Sequence, residues 1–520
     1  MLGRPAVGRM GKRSKARDSP AARQSGRLWE EERDCQEWHG RRRRASHPLD
    51  SGRSRDMPWK ESSLTTICLF LSATAACTWA AESGSSTDGD DWFQFLGPNR
   101  NAVSEGPRLA ASWDAGGPPV VWRTNCLVGF SGPIVKNDIL VLMERGPRPE
   151  PMPGPAATSD AETNSVAKLP EETVRGMDAK TGAELWRRSY PCEFAGGNWY
   201  WGPCATPTGV KDRVVCQFID GKLRCFALKT GNVLWERDLA ADFGMTRDGS
   251  QAIYQACSSP LIAGDQVVVM VCTQVIGLLS LSIADGKEVW RTAPFANYGS
   301  STGFARMGHT NVVIAVPSDV DRRLFKNGDV LGFHALTGRL LWHAAADKNY
   351  YNCPPPIANE DILIVEGGGG DGPTFAFRPP ESGEGTATIL WKDPQHQVRF
   401  SNYLIYRGLV FGQGYPAHGG PVKRYCIDSK DGKLCWERKL TGTRETHHSM
   451  FASDGKVLQL HENGELSMFD AAVRDGYREL ARARVVAQKK MVWSFPALVR
   501  GSLYVRTDSE VVCLDLTEKR

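Results

Sequence analysis

The fourteen cysteines of this 520-residue chain never stand side by side, and no two are separated by two residues. That excludes the Cys-x-x-Cys pairs of zinc modules and the Cys-x-x-Cys-His site of covalent haem attachment. His-rich ligand spacings are missing too, so no structural metal is expected. The chain also lacks an obvious membrane span. Its apolar stretch from Leu64 to Ala76 falls short of the roughly 20 residues a spanning helix needs. What is present is 53 Gly, 31 Pro, 41% hydrophobic and 24% charged residues. This is a soluble, turn-rich, β-type composition with enough chain for a large core.

The net charge of +5 comes with a local bias, because residues 1–56 carry a dense basic load that includes Arg41 to Arg44. These residues lack apolar periodicity and read as a disordered extension. From Met57 the chain runs MPWKESSLTTICLFLSATAACTWAAES: one Lys, an apolar run, then small residues. That is the three-part pattern of a secretory signal over 57–81. A start at Met57 would leave 1–56 untranslated. The alternative is a genuine basic tail followed by a membrane anchor. The signal reading places the mature chain in the periplasm or another exported envelope compartment. No transmembrane segment then remains, and no nucleic-acid partner is expected. Cys77, after Thr-Ala-Ala, is only a weak match to a lipoprotein processing site.

One pattern recurs: an apolar run, a Thr-Gly or Asp-Gly turn, then a strand ending in Trp. It reads MDAKTGAELW, FALKTGNVLW, LSIADGKEVW, FHALTGRLLW and CIDSKDGKLCW, while TATILW keeps only the last strand. The tryptophans, at 186, 235, 290, 342, 391 and 436, fall 45 to 55 residues apart. A second motif precedes each hairpin: a short strand often opened by Pro, a turn, then a β-rich run. It begins at Gly132, Ala205, Ser258, Ala305, Pro354, Asn402, Ser449 and Phe495. Eight units of four strands at this period predict an all-β, eight-bladed β-propeller of four-stranded antiparallel blades over 119–520. The last unit lacks a fourth strand. The orphan PPVVWRTN, with Trp122, is expected to supply it and close the ring, removing exposed edges. The seventh unit reads GYRELARARV, with Leu480 taken as standing where Trp should be. Residues 82–118 form an opening segment, and the Pro-rich stretch 145–172 reads as a flexible insertion.

Export permits disulfides. Cys216 and Cys225 flank a hairpin tipped by Asp220-Gly221, and Cys426 and Cys435 flank the Lys430-Asp431 turn. Each pair is a candidate disulfide; free core thiols are the alternative.

The repeat of Asp178, Thr181-Gly182 and Trp186 resembles the PQQ-like (pyrrolo-quinoline quinone) propeller family over roughly 92–520. The opening segment WFQFLGPNRNAVS looks like that of large secreted members from planctomycete-type bacteria. The resemblance implies either a BamB-like scaffold or a quinoprotein dehydrogenase. The dehydrogenases carry adjacent cysteines over the quinone, and calcium held by Glu, Asn and Asp. This chain has no Cys-Cys, and Glu366 and Asp371, around the run Gly367 to Gly370, do not match those ligands. The favoured reading is therefore a non-catalytic envelope binding or scaffold protein without a cofactor. The alternative is a divergent dehydrogenase using PQQ with calcium.

In a propeller, the links between blades cross one face near the axis, so function is sought there. These links are aromatic and basic: they carry Trp199, Trp201, Tyr351, Arg399, Arg444 and His448. Such a funnel would take a small anionic or planar ligand, or a protein partner. Packing of the funnel wall is the plain alternative. Of the neighbours His447 and His448, at most one is expected to face the axis, because successive residues of an extended segment point opposite ways.

Overall fold

The computed structural model describes residues 91–114, 116–146, 171–192, 202–245, 256–297, 299–307, 309–317, 329–346, 353–367, 372–414, 421–440, 447–487 and 491–518. Their strands form eight sheets, each of four antiparallel strands and one with a fifth strand added in parallel, one sheet for each unit counted in the sequence. The first strands are Ile134–Lys136, Thr208–Val210, Leu261–Ala263, Gly303–Met307, Ile357–Ala358, Leu404–Tyr406, His448–Ser453 and Ala497–Val499. Those of six neighbouring pairs of sheets touch, the last and the first among them. The sheets therefore stand as blades around an axis lined by these inner strands. Blades are numbered here 1 to 8 in that order.

The outer strand of blade 8 is Val120–Asn125, which pairs antiparallel with Glu510–Asp515. Ends of the chain some 390 residues apart thus share one sheet. Trp122 lies in this strand and donates its Nε1 proton to Ala179 O of blade 1 at 3.0 Å.

The recurring Trp has a fixed task. Just before it, each outer strand carries a β-bulge, as between Cys225 and Phe226 opposite Trp235. A bulge twists the strand and re-aims the next side chain. The indole is turned onto the glycine of the following blade's last turn. Trp186 lies over Gly231, Trp235 over Gly286, Trp290 over Gly338 and Trp391 over Gly432. These glycines have φ between 67° and 72°, which favours Gly, and a Cβ there would strike the indole. Trp186, Trp235 and Trp391 also donate Nε1 to turn carbonyls at 2.8 to 2.9 Å. The motif Thr-Gly…Trp is thus two halves of one contact between successive blades.

Two irregular units now have physical reasons. Blade 5 lacks the Thr-Gly turn because its last connection is a strap. Gly385–Thr386 crosses to blade 4 and pairs in parallel with Trp342 and His343. Trp342 is consequently 1% exposed. In blade 7 the bulge skips Leu480 and sets Ala481 opposite Met468. Ala481, not Leu480, stands in the Trp position. Trp436 of blade 6 instead packs edge-on against Tyr477 at 5.4 Å and Phe469 at 6.1 Å.

The core lies between blades. Ile134, Val141 and Trp186 of blade 1 pack on Val214 and Phe226 of blade 2, and the pattern continues round the ring. In blade 1 strand pairing reaches Arg145–Glu172 and Gly146–Glu171, so the sheet takes up both ends of the predicted insertion. Among the described residues no helix is long and apolar enough to cross a membrane.

The opening segment is built into the ring. Val135 N of blade 1 bonds Trp92 O, Gly209 N of blade 2 bonds Phe93 O, and Ile262 N of blade 3 bonds Gln94 Oε1. Phe95 packs on Phe495 of blade 8, and Ala452 of blade 7 donates its N–H to Ala102 O and accepts from Ser104 N. The segment thus contacts four inner strands and the residue leading into a fifth. Asp91 and Leu109 tie it to the turns at Asn137 and Asp454, each joining an inner strand to its neighbour. Those turns lie at the end opposite the links, while Phe95 and Arg100 reach Phe495, Ser259 and Pro260 at the link end.

Candidate functional site

At the link end the inner strands enter through a buried polar belt. Gly132 N donates to Thr206 Oγ1 at 3.2 Å, Thr206 N to Ser259 Oγ at 3.0 Å, and Ser259 N to Ser301 Oγ at 3.0 Å. Farther round, His448 N donates to Ser401 Oγ and Met450 N to Asn402 Oδ1, both at 3.0 Å. Blades 2, 3, 4 and 6 so supply acceptors for a neighbour's backbone where strand pairing stops. Buried N–H groups need such partners.

Above the belt lies a ring set by position. Three residues before Pro133, Pro207, Pro260, Pro356, Tyr403, Met450 and Pro496 stand Phe130, Cys204, Cys257, Cys353, Phe400, His447 and Trp493. Half of this ring is aromatic. Phe400 stacks on His447 with centroids 5.0 Å apart, His447 on Trp493 at 4.5 Å, and Trp493 on Phe130 at 5.3 Å. These four rings come from blades 6, 7, 8 and 1. All are half-buried, leaving part of the arc open to solvent. Stacked pairs contribute about 0.5–1.5 kcal/mol each beyond burial, so the arc is also a rigid surface. His447 Nδ1 lies 3.2 Å from Glu462 Oε2, which orients the ring. The other half of the ring carries the three thiols.

The residues expected in the funnel divide. Trp199, Trp201, Tyr351 and Arg444 lie outside the described residues. His448 is 4% exposed, and its Nδ1 meets Ser401 Oγ at 2.8 Å. Burial, with the charges of His461, Arg424 and His447 behind it, pushes its pKa well below the usual histidine value. It belongs to the belt, and its neighbour His447 faces the mouth. Arg399 adopts φ 57°, and its backbone N–H donates to Glu366 Oε2 at 3.1 Å. The same oxygen accepts from Val398 N at 2.8 Å and Tyr403 OH at 3.1 Å. Burial pushes the Glu366 carboxyl up, against the pull of these donors. Glu366 is thus a buried clasp on the link before blade 6. Arg399 and His448 therefore enter adjacent blades, one in a half-buried link and the other inside the belt.

Phe130, Phe400, His447 and Trp493 were not singled out as a set by the sequence reading. Their signal was a position, third before the inner-strand residue usually occupied by Pro. Composition of the links could not supply it.

The cysteine hairpins are resolved as well. Cys216 pairs with Arg224 and Cys225 with Val215. The one-residue offset sends the thiols to opposite faces, Cys216 into the blade 1–2 core and Cys225 into the blade 2–3 core. The expected opposition of this pair is corrected accordingly. Cys426 lies opposite Trp436, and the bulge leaves Cys435 out of the pairing, its thiol donating to Lys433 O at 3.9 Å. All four are free thiols. Among the described residues no group of three or more His, Cys, Asp or Glu is arranged to hold a metal ion.

The fold and its Trp-docking repeat define a closed eight-bladed propeller of the PQQ-like class. The family described as "Outer membrane protein assembly factor BamB" matches residues 77–303, 170–398 and 277–520, and the chain belongs to it. A relative from Legionella pneumophila (strain Paris), itself an outer membrane protein assembly factor BamB, is 24% identical over 160 residues. That match spans 31% of this chain and 37% of the relative. The BamB structure from Moraxella catarrhalis is 14% identical, with 68% of this chain and 94% of that chain covered, at a TM-score of 0.47. A europium-containing methanol dehydrogenase is 11% identical over 81% of this chain and 89% of its own, at a TM-score of 0.58. The latter likeness is one of fold alone.

Proposed function

We propose that this chain is a non-catalytic binding or scaffold protein of the cell envelope, engaging a protein partner or a planar, anionic ligand at its link face. The observation that carries the reading is the half-open aromatic arc of Phe400, His447, Trp493 and Phe130. Stacked rings from four blades offer apolar area already ordered, so little side-chain entropy is lost on binding. Trp199, Trp201, Tyr351 and Arg444 sit in the same links by sequence and are included in the proposed surface, with Arg399. Membership of a family described by outer-membrane assembly supports a protein partner and an exported location. Export would follow removal of residues 57–81, and the mass of the native N-terminus tests it. A chain found in the cytosol with Met1 intact would end that part of the proposal.

The test of binding places a photo-crosslinking residue at Phe130 or Phe400, with Lys180, on the opposite face, as control. A defined envelope protein should attach at the first two positions only, and attachment should fall at least tenfold in Trp493→Ala. Equal labelling from Lys180 would sink the proposal.

A quinone-dependent dehydrogenase is the second reading, favoured by the likeness of fold to the methanol dehydrogenase. The described residues at the link face do not fit calcium and quinone. Calcium takes six to eight oxygens. The mouth offers aromatic rings and thiols, and the buried carboxylates near it are already engaged: Glu366 by three donors, Glu144 by Leu127 N and Glu172 by Ile219 N. Purified protein given PQQ and calcium should neither acquire the quinone absorbance nor reduce a dye with alcohols or sugars. Activity in that assay would favour the enzyme.

A further inference from the structure

One interface of the ring buries a charge where the others bury apolar side chains. Two residues before the position opposite the outer-strand Trp or its replacement, six blades carry Val174, Leu223, Leu278, Val330, Leu466 and Val511. Blade 6 carries Arg424 there, fully buried against blade 7. Its Nε donates to Gln413 Oε1 at 3.3 Å, its Nη2 to His461 Nε2 at 3.1 Å, and its Nη1 to the Tyr477 hydroxyl. The rings of Tyr477 and Phe469 lie 5.1 and 5.5 Å from the guanidinium carbon, which offsets part of its desolvation. Among the described residues no carboxylate pairs with it. Glu479 is reached only through the Tyr477 hydroxyl, at 2.7 Å, and is bound by Arg482 Nε at 3.0 Å. A buried cation without a counter-ion is costly, and an apolar side chain of similar size would be at least as stable in its place.

Three polar groups on the same faces are buried and lack a partner: Gln413 Nε2, Gln459 Oε1 and His448 Nε2. Their orientations are fixed. Gln413 Oε1 accepts from Gln459 Nε2 at 2.8 Å as well as from Arg424 Nε, so its amide cannot be turned over. Ser401 Oγ accepts from His448 N at 3.0 Å and lies 2.8 Å from His448 Nδ1, which takes the hydroxyl proton. The His448 proton therefore sits on Nε2, on the side of the ring away from Ser401. His448 lies opposite His461, whose Nε2 meets Arg424. One cation and two free donors thus share one interface.

We infer that the link end of the blade 6–7 interface binds a small monovalent anion of halide size, such as chloride, beside Arg424. Gln413 Nε2 and His448 Nε2 donate to it, together with a guanidinium proton, since three of the five are engaged and two are left. One negative charge balances Arg424, whereas a divalent anion would leave the interface with an excess of the other sign. Gln459 Oε1, an acceptor, takes a water that also donates to the anion. The site joins Ser401 and Gln413 of blade 6 to His448 of blade 7. The residues before Ser401 and His448 are Phe400 and His447, whose rings stack at 5.0 Å in the arc. The anion therefore helps to set the spacing of the two blades that carry that pair. The inference stands whether or not the arc binds a partner.

The test uses the full chain, with bromide as the crystallographic probe and chloride as the probe in solution. Crystals soaked in sodium bromide should show an anomalous peak bounded by Arg424, Gln413 and His448. An ordered water only at that place, or bromide only elsewhere, would overturn the inference. In solution the urea midpoint should be higher in sodium chloride than in sodium gluconate at equal ionic strength. It should climb with chloride concentration, as a ligand of the folded state requires. Gln413→Glu sets a carboxylate beside Arg424 and should abolish that dependence while keeping or raising the midpoint in gluconate. Arg424→Leu installs the kind of residue other blades use and should abolish it as well. The bromide experiment needs no variant, so a misfolded substitution does not cloud the answer. Equal midpoints in the two salts, or a chloride dependence that persists in either variant, would refute the site.

Discussion

The stacking of Trp on Gly between blades predicts a contrast between two glycines. Gly286 has φ 70° and Gly244 has φ 71°, so Ala at either meets the same left-handed penalty of about 1–2 kcal/mol. Their surroundings differ. A Cβ on Gly286 would stand 2.8 Å from Trp235 Cδ2, whereas on Gly244 it would meet nothing within 4 Å. Trp235 has little freedom to yield. Its Nε1 donates to Ile283 O at 2.9 Å, and Arg237 Nη1 holds Gly286 O at 2.9 Å. Overpacking of this kind costs about 1–3 kcal/mol more. Gly286→Ala should therefore lose about 2–5 kcal/mol and Gly244→Ala about 1–2, the difference being the interblade contact. Urea unfolding followed by circular dichroism measures both, with the slope m checked for constancy. Equal losses would refute the docking role of the turn glycines.

Three further outcomes are expected. Trp235→Phe keeps an aromatic ring over Gly286 but leaves Ile283 O only the longer bond from Arg213 Nη1 at 3.3 Å, and should cost about 1 kcal/mol in the same assay; no loss would remove the indole hydrogen bond from the account. Arg100 is buried, donates to Ser259 O at 3.2 Å and Pro260 O at 2.8 Å, and is pulled down to about 9 by burial; Arg100→Ala should speed hydrogen exchange across residues 92–104 without changing the blade cores, and unchanged exchange there would deny that it anchors the opening segment. His448 stays neutral in the fold while the unfolded chain takes up a proton below about pH 6.5, so folding stability should fall with decreasing pH from there at up to about 1.4 kcal/mol per unit until the depressed folded pKa is reached, and His448→Gln should flatten that slope as read by urea midpoints from pH 7 downward.

The amino-acid sequence by itself determined the repeat, the eight blades and the all-β class. Each depends on residues close together in the chain: a Thr-Gly turn, an alternating strand, a Trp at its end. Turn chemistry and a period of two are local, so they survive in a string of letters. Register was less legible. A bulge adds one residue to one strand, which moved the Trp position of blade 7 from Leu480 to Ala481, and a one-residue offset parted Cys216 from Cys225. Composition of the links marked the right end of the ring as chemically rich but selected His448, which the belt buries, over His447, which stacks at the mouth. Only the tertiary structure decided that Phe400, His447, Trp493 and Phe130 form one surface. Those neighbours are dozens to hundreds of residues apart, and their contact is set by closure of the ring, which brings equivalent positions of successive blades to the same height around one axis.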